Sequence, residues 1–331
     1  MRGINIPGIG ILEDKYQHDF IEIGIGGEGL WTSGKEGVKT ILTPTDKKIE
    51  FILYEDKTLV YVKSAMGYPA IYPLKEVHYE GPAEAVLMDL DGTSVHSEAF
   101  WMWIIEQTVA KLLKNPRFSL EQADEAHVSG HSVSEHLQYC IKKYCEGKSV
   151  EEARAHYYAI THYEMKEIMA GRGRDGAFTP SPGLKEFLYE LKGKGIKIGL
   201  VTSGLYEKAW PEILSAFKTL NMGDPLDFYD AIITAGQALV KGKAGTLGEL
   251  APKPHPWLYA ETARVGLGID PARRSRVIGI EDSSAGIVSI RLAGFAALGI
   301  GGGNIEKSGI RPLVLSQYDH LMDALPLILG N

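Results

Sequence analysis

Beyond Gly183 the chain alternates between two kinds of segment, and that alternation constrains the fold more than anything else in it. Short aliphatic runs, "IKIGLV", "DAIITA", "RVIGI" and "AALGI", are separated by stretches of helical periodicity: "GLKEFLYELKGKG", a segment from about Glu207, "PHPWLYAETARVG" and "SAGIVSIRLAG". Strands joined through helices cannot pair as hairpins. Each connection has to cross over, which lays the strands parallel and leaves both faces of the sheet to be covered by helices. A last short strand is expected at "PLVLS". The run Ala85 to Leu90, "AVLMDL", is of the same type although it comes much earlier. The fold class is therefore α/β: a Rossmann-like, mostly parallel, three-layer core whose first strand is separated from the others by inserted sequence.

The insertion reads as helical. Aromatic and aliphatic residues recur three or four apart in "FWMWIIEQTVAKLL", "SVSEHLQYCIKKYC" and "SVEEARAHYYAITHYEMKEIM", and "GRGRDGAFTPSPG" has the glycine and proline content of a linker back to the core. The expected organisation is residues 81–97 and 178–331 as the core and 98–177 as a helical cap. Residues 1–80 differ from both. "KKIEFILYEDKTLVYVKSAMGYPAIYPL" breaks into short apolar runs at turn-like residues, as in small antiparallel sheets, so a β-rich extension is expected there. It could be a surface for homo-oligomer formation, a regulatory or substrate-reading module, or a β layer covering the core. Its tyrosines Tyr54, Tyr61, Tyr68 and Tyr72 suit either a binding patch or strand packing.

Catalytic groups in such sheets collect outside the carboxyl ends of the strands. Three strand ends carry polar groups: "VLMDLDGTSVHSE" gives Asp89 and Asp91, "IGLVTSG" gives Thr202, Ser203 and Gly204, and "RVIGIEDSSAG" gives Glu281 and Asp282. Between the last two, "LAPKPHP" sets Lys253 between prolines ahead of a helix. Carboxylates at the end of a buried strand are costly unless something binds them. Gathered at one edge, these groups describe a cation site beside an anion site. The carboxylates suit a hard cation such as Mg²⁺, which takes oxygen ligands, while Thr202, Lys253 and backbone N–H groups suit a phosphoryl group.

With these motifs in this order, the chain resembles the haloacid dehalogenase superfamily, and within it the β-phosphoglucomutase-like and phosphoglycolate phosphatase-like enzymes with a helical cap. The resemblance covers roughly residues 85–325: Asp89-x-Asp91-Gly92-Thr93 matches the first motif, Thr202 the second, Lys253 the third and Glu281-Asp282 the fourth. It implies Asp89 as nucleophile, forming an aspartyl-phosphate, and Asp91 as the acid and base serving the leaving group and the water. Mg²⁺ would be held by Asp89, the Asp91 carbonyl and Asp282, with Glu281 positioning the metal or its waters. Thr202 and Lys253 would hold the transferring oxygens. The implied activity is hydrolysis of a small phosphorylated metabolite. A sugar phosphomutase is one alternative, and a non-catalytic protein acting through residues 1–80 is another.

Departures from the mutase pattern favour the hydrolase. His96 stands where a second acidic residue is common, Trp101 where the mutase has a bridging histidine, and Val133 where an arginine would grip a second phosphate. An apolar valine cannot pair with a dianion. No residue is assignable to the cap lysine that phosphonate cleavage would need. Cap residues His131, Ser132 and Glu135 and linker residues Arg172 and Arg174 are candidates for substrate contact, although each also suits a hydrated loop or hinge. The histidines of the insertion are too scattered to define a zinc site. "IGIGGEGLW" has the letters of a dinucleotide loop without a following helix and reads as a turn, and "GIGGGN" is a tight loop or a backbone rim of the site.

A net charge of -7 with no basic block gives nucleic acid little to bind, and no apolar run is long enough to span a membrane. "MRGINIPGIG" lacks the apolar core of a signal peptide, and two cysteines, Cys140 and Cys145, make neither a disulfide framework nor a four-ligand zinc site. A cytoplasmic protein with free, buried thiols is expected.

Overall fold

The computed structural model describes residues 4–63, 69–124, 133–236 and 252–330. Its centre is a six-stranded sheet. The N-terminal segment supplies β1 (Phe20–Ile23), β2 (Thr40–Pro44), β3 (Ile49–Leu53), β4 (Thr58–Val62) and β5 (Ala70–Leu74) to a separate antiparallel sheet. The central sheet is built from β6 (Ala85–Asp89), β7 (Lys197–Val201), β8 (Ala231–Ile233), β9 (Val277–Glu281), β10 (Ala296–Ile300) and β11 (Ser316–Tyr318). Its order is β8-β7-β6-β9-β10-β11, and every pairing is parallel. The chain enters at the middle, winds outward through β7 and β8, then returns to the other side of β6. The reversal places a crevice at the carboxyl ends of β6 and its two neighbours.

Strand β6 is buried along its whole length. Its alternate residues serve different cores, with Val86 and Met88 in one and Ala85 and Leu87 in the other. The first core is completed by helices α4 (Leu184–Gly193) and α5 (Tyr206–Thr219), the second by α6 (Trp257–Glu261) and α7 (Ser284–Ala293). The second core does not end at its helices. Ile6, Leu12, Phe20, Leu42, Phe51, Val60 and Leu74 of the N-terminal segment belong to it together with Ile287, Val288 and Ile290 of α7. Each fully buried aliphatic or aromatic side chain contributes roughly 1.5–3 kcal/mol, so residues 4–63 and 69–74 form a fourth layer continuous with the core. Of the three roles open to this segment, the covering layer is the one its packing shows.

The insertion folds as α1 (Glu98–Leu113), α2 (Val133–Tyr144) and α3 (Val150–Met169), packed on one another as a helical cap. Ser149 starts α3 by accepting the Glu152 N–H at 3.1 Å. Asp124 is fully buried within the cap, beside the C-terminal end of α2, where it accepts from Lys143 at 2.6 Å, from Tyr139 at 2.7 Å and from Tyr144. These donors hold its carboxyl below the usual carboxylate range in spite of burial.

Two expectations need correcting. The "PLVLS" segment is not a strand: Arg311–Leu313 is a 3-10 turn and the pairing residues are Ser316–Tyr318. Pro312 has no N–H for a ladder and fits the first turn of a helix instead. The linker after the cap is not purely irregular either, since Thr179–Pro180 pairs antiparallel with Val95–His96, so the two passages between core and cap run side by side. Among the described residues no helix is long and apolar enough to cross a membrane.

Candidate active site

The parallel register fixes which groups meet. Asp89 lies opposite Val201, and Met88 lies opposite Ile280, so the residues that leave the three strands, Asp89 to Asp91, Thr202 and Glu281 to Asp282, emerge together. Asp89 is 5% exposed, Thr202 1%, Glu281 0% and Asp282 8%, so the expected motif residues are brought to one buried point.

The turn after β6 is closed by the Ser94 and Val95 N–H groups donating to the Leu90 carbonyl at 3.0 and 2.9 Å, and by the Gly92 N–H donating to the Val95 carbonyl at 2.8 Å. Gly92 has φ +84°, and a Cβ there would lie 2.2 Å from Asp282 Oδ2, so both conformation and space require glycine. Asp91 is held by Ser97, whose hydroxyl donates to Oδ1 at 2.7 Å, and more weakly by Thr202 Oγ1, at 3.4 Å from Oδ2. Gly204 donates its N–H to Thr202 Oγ1 at 2.9 Å. Ser203 accepts the Lys253 N–H at 3.1 Å, tying the second motif to the third.

Lys253 is the hub of the cluster. Its ammonium donates to Asp89 Oδ1, to Glu281 Oε1 at 2.7 Å and to the Val201 carbonyl at 3.3 Å. Both oxygens of Glu281 are already engaged, Oε1 also by Tyr259 at 2.9 Å and Oε2 by the Ser283 hydroxyl at 2.9 Å and its N–H at 3.2 Å. Glu281 thus orients Lys253 as much as it contributes charge. Asp89 and Asp282 are pushed well above the usual carboxylate range, first by burial and then by Glu281, with Lys253 offsetting only part of this. Lys253 is held above its usual value, the two carboxylates outweighing its own desolvation.

Asp89, Glu281 and Asp282 place ligand atoms within 4.8 Å of one another, the one such group among the described residues. Three carboxylates stand beside one ammonium, which among them bonds only Asp89 and Glu281, so with all three ionised this buried place carries surplus negative charge. An all-oxygen donor set with that surplus fits a hard divalent cation.

The remaining candidates divide. His131 and Ser132 lie outside the described residues, and so does the side chain of Glu135. Arg172 is exposed and pairs its guanidinium with Glu167 through two bonds of 2.8 Å. Arg174 sits 4.9 Å over the ring of Trp103 on α1. Neither is brought to the acidic cluster. The "GIGGGN" loop is at the site rather than apart from it, since a Cβ on Gly303 would lie 2.1 Å from the Asp282 carbonyl oxygen and Asn304 donates its N–H to that oxygen at 3.2 Å. "IGIGGEGLW" is a turn between two-residue strands, as expected.

Sequence reasoning missed Lys208 and Glu212, one helical turn apart on α5. Glu212 is 1% exposed, and its carboxyl is pushed well up by burial and by Asp91. Lys208 lies 3.8 Å over the ring of Trp101 and 3.3 Å from the Tyr157 hydroxyl, both from the cap, and within the field of Asp91. A signal existed: Glu212 falls in phase with the apolar stripe of Ala209, Ile213 and Ala216, where a carboxylate has no solvent to face.

The family model of haloacid dehalogenase-like hydrolases matches residues 83–294. A β-phosphoglucomutase from Bacillus subtilis strain 168 is 33% identical over 151 residues, 43% of this chain and 56% of that protein, so the match spans little more than half the length of this relative. A predicted phosphoglycolate phosphatase from Haemophilus somnus 129PT shares the fold with TM-score 0.57 and 17% identity over 75% of this chain and 98% of its own. A phosphonoacetaldehyde hydrolase-like protein from Oleispira antarctica does so with TM-score 0.56 and 16% identity over 77% and 94%. At such identities these structures speak for the fold alone. The family match, however, takes in well over half of the sequence and every strand end at which the buried acidic cluster is assembled, and the chain belongs to the haloacid dehalogenase-like hydrolases.

Proposed function

We propose that the protein is a Mg²⁺-dependent phosphatase acting on a small phosphorylated metabolite through an aspartyl-phosphate. The observation that carries this reading is the pairing of Asp89 with Lys253 while Asp91, two residues on, is held by Ser97 and Thr202. Asp89 contributes one oxygen to the ammonium and has the other to attack phosphorus. As the phosphorus–oxygen bond to the leaving group breaks, Asp91 gives that oxygen its proton. It then takes a proton from the water that attacks phosphorus and returns Asp89 to a carboxylate. Lys253 and Thr202 balance charge on the transferring oxygens. Asp89, Asp282 and the Asp91 carbonyl would hold the metal, which supplies charge neutralisation between anionic nucleophile and anionic substrate. Glu281 keeps Lys253 aimed. The cap would close over the site and exclude water.

The test is a panel of sugar phosphates, nucleotides and 2-phosphoglycolate with Mg²⁺. Turnover well above background on at least one ester is expected. Asp89→Asn should lose it by orders of magnitude, and retention of most activity by that variant would sink the assignment.

A second reading, sugar phosphomutase, is favoured by the 33% identity to a β-phosphoglucomutase. Against it stands Val133, a half-buried apolar residue in the position of a phosphate-gripping arginine. Phosphorus NMR on a hexose 1-phosphate primed with the bisphosphate decides: inorganic phosphate is expected, and a new ester resonance would restore the mutase.

A further inference from the structure

The first 82 residues lie outside the family match, yet they touch the site from behind. Asp46 stands in the turn between β2 and β3. Its Oδ2 accepts from the Ser284 hydroxyl at 2.9 Å, two residues beyond Asp282, while its own N–H donates to the Ser308 carbonyl at 3.3 Å. Ser284 donates its N–H to Asn304 Oδ1 at 2.7 Å, and Asn304 donates its N–H to the Asp282 carbonyl at 3.2 Å. Asp46 is itself fixed, since Oδ1 accepts the Lys48 N–H at 3.1 Å. A second strut repeats the arrangement beside Lys253, where the Tyr72 hydroxyl of β5 lies 2.8 Å from Nδ1 of His255. The antiparallel layer therefore reaches the loops of the third and fourth motifs through polar contacts as well as through its apolar face.

We propose that Asp46 is a positioning residue for Asp282, and that the N-terminal layer serves the site by holding the turn at residues 282–284 in the geometry a divalent cation requires. Polar partners lying just behind metal ligands are known to govern affinity by orienting them. A residue whose carboxylate holds Ser284 while its backbone N–H is tied to the segment before Gly309 meets that description without reaching the cation itself. The proposal rests on the metal reading above, so its test measures metal binding without turnover.

Mn²⁺ is titrated into the full-length chain and the free ion followed by electron paramagnetic resonance. Asp46→Ala is expected to bind about tenfold more weakly or worse, and Asp46→Asn, which keeps an acceptor oxygen for Ser284, to stay within about threefold of wild type. Ser284→Ala should reproduce the loss, and the double variant should add little to either single one, as residues acting through one contact do. With an active ester, Asp46→Ala should need more Mg²⁺ for half-maximal rate while kcat at saturating Mg²⁺ stays near wild type. A wild type that binds no Mn²⁺ overturns the metal reading. Folded Asp46→Ala with wild-type affinity overturns the positioning role and leaves the metal reading standing. So does Asp46→Asn as weak as Asp46→Ala. Should Asp46→Ala fail to fold, Ser284→Ala decides, and wild-type affinity there rejects the proposal.

Discussion

Asp282 is enclosed so closely that two different loops need glycine against it, Gly92 from the first motif and Gly303 from the loop after β10. Gly303 has no unusual backbone conformation to protect, so Gly303→Ala tests space alone. The added methyl would push the Asp282 backbone aside, and the Mg²⁺ concentration for half-maximal rate should rise by about tenfold or more. A wild-type Mg²⁺ curve in that variant would show that the loop yields at no cost to the ligand. Lys253 sets a second residue-level expectation. Removing the one ammonium from Asp89 and Glu281 leaves buried carboxylates without a partner, which typically costs about 3–5 kcal/mol. Lys253→Met should therefore unfold at lower urea than wild type as well as lose turnover, and added Mg²⁺ should restore part of the lost stability by supplying the missing positive charge. An unchanged unfolding midpoint would mean that the carboxylates carry protons rather than charge.

Among the elements, those that could be read from the letters were the ones whose residues answer to local rules. Strand β6 showed itself as an apolar run ending in carboxylates, and α1, α2 and α3 through their helical spacing. Three of the four motif positions converged because a parallel sheet delivers its strand ends to one edge whatever the side chains are, and Lys253 joins them from the loop ahead of α6. What escaped depends on facing and distance. Lys208 and Glu212 became site residues only because α5 turns that face toward Asp91, and Tyr72 and Asp46 only because the outer layer docks on α7. The pairing of Arg172 with Glu167, five residues away, likewise depends on how the end of α3 turns. The cap offers an element-level test. The Asp124 carboxyl is lowered in the folded state, so it contributes stability in full above its unfolded value of about 3.9 and loses it as pH falls through the folded value. The melting advantage of wild type over Asp124→Asn should be as large at pH 5 as at pH 7 and shrink below about pH 4. An advantage that persisted unchanged to pH 2 would place the stabilisation in hydrogen-bond geometry rather than in charge.

At the scale of the whole molecule, the N-terminal sheet and the catalytic core share one apolar interior. A chain beginning at residue 81 would expose Leu258, Ile287, Val288 and Ile290, which now pack in that shared interior. Such a chain is expected to aggregate or bind a hydrophobic dye strongly, and a soluble, active fragment would disprove the shared core. His255 reports on the same seam. Burial lowers its imidazole below the usual 6.5, so the stability it contributes is complete above that value and is lost as the pH falls below it. Thermal stability should decline as the pH falls below about 6.5 in wild type and decline less steeply in His255→Gln. Equal slopes would clear His255 of any part in the decline. The antiparallel ladder of Val95–His96 with Thr179–Pro180 bears on how the halves of the molecule move. Two passages pinned together would act as a hinge pin, leaving the cap one easy arc of swing and resisting twist and slide. In the proposed phosphatase, substrate entry and product exit would then share a single coordinate, and the longest ester admitted would be set by the angle through which that door opens.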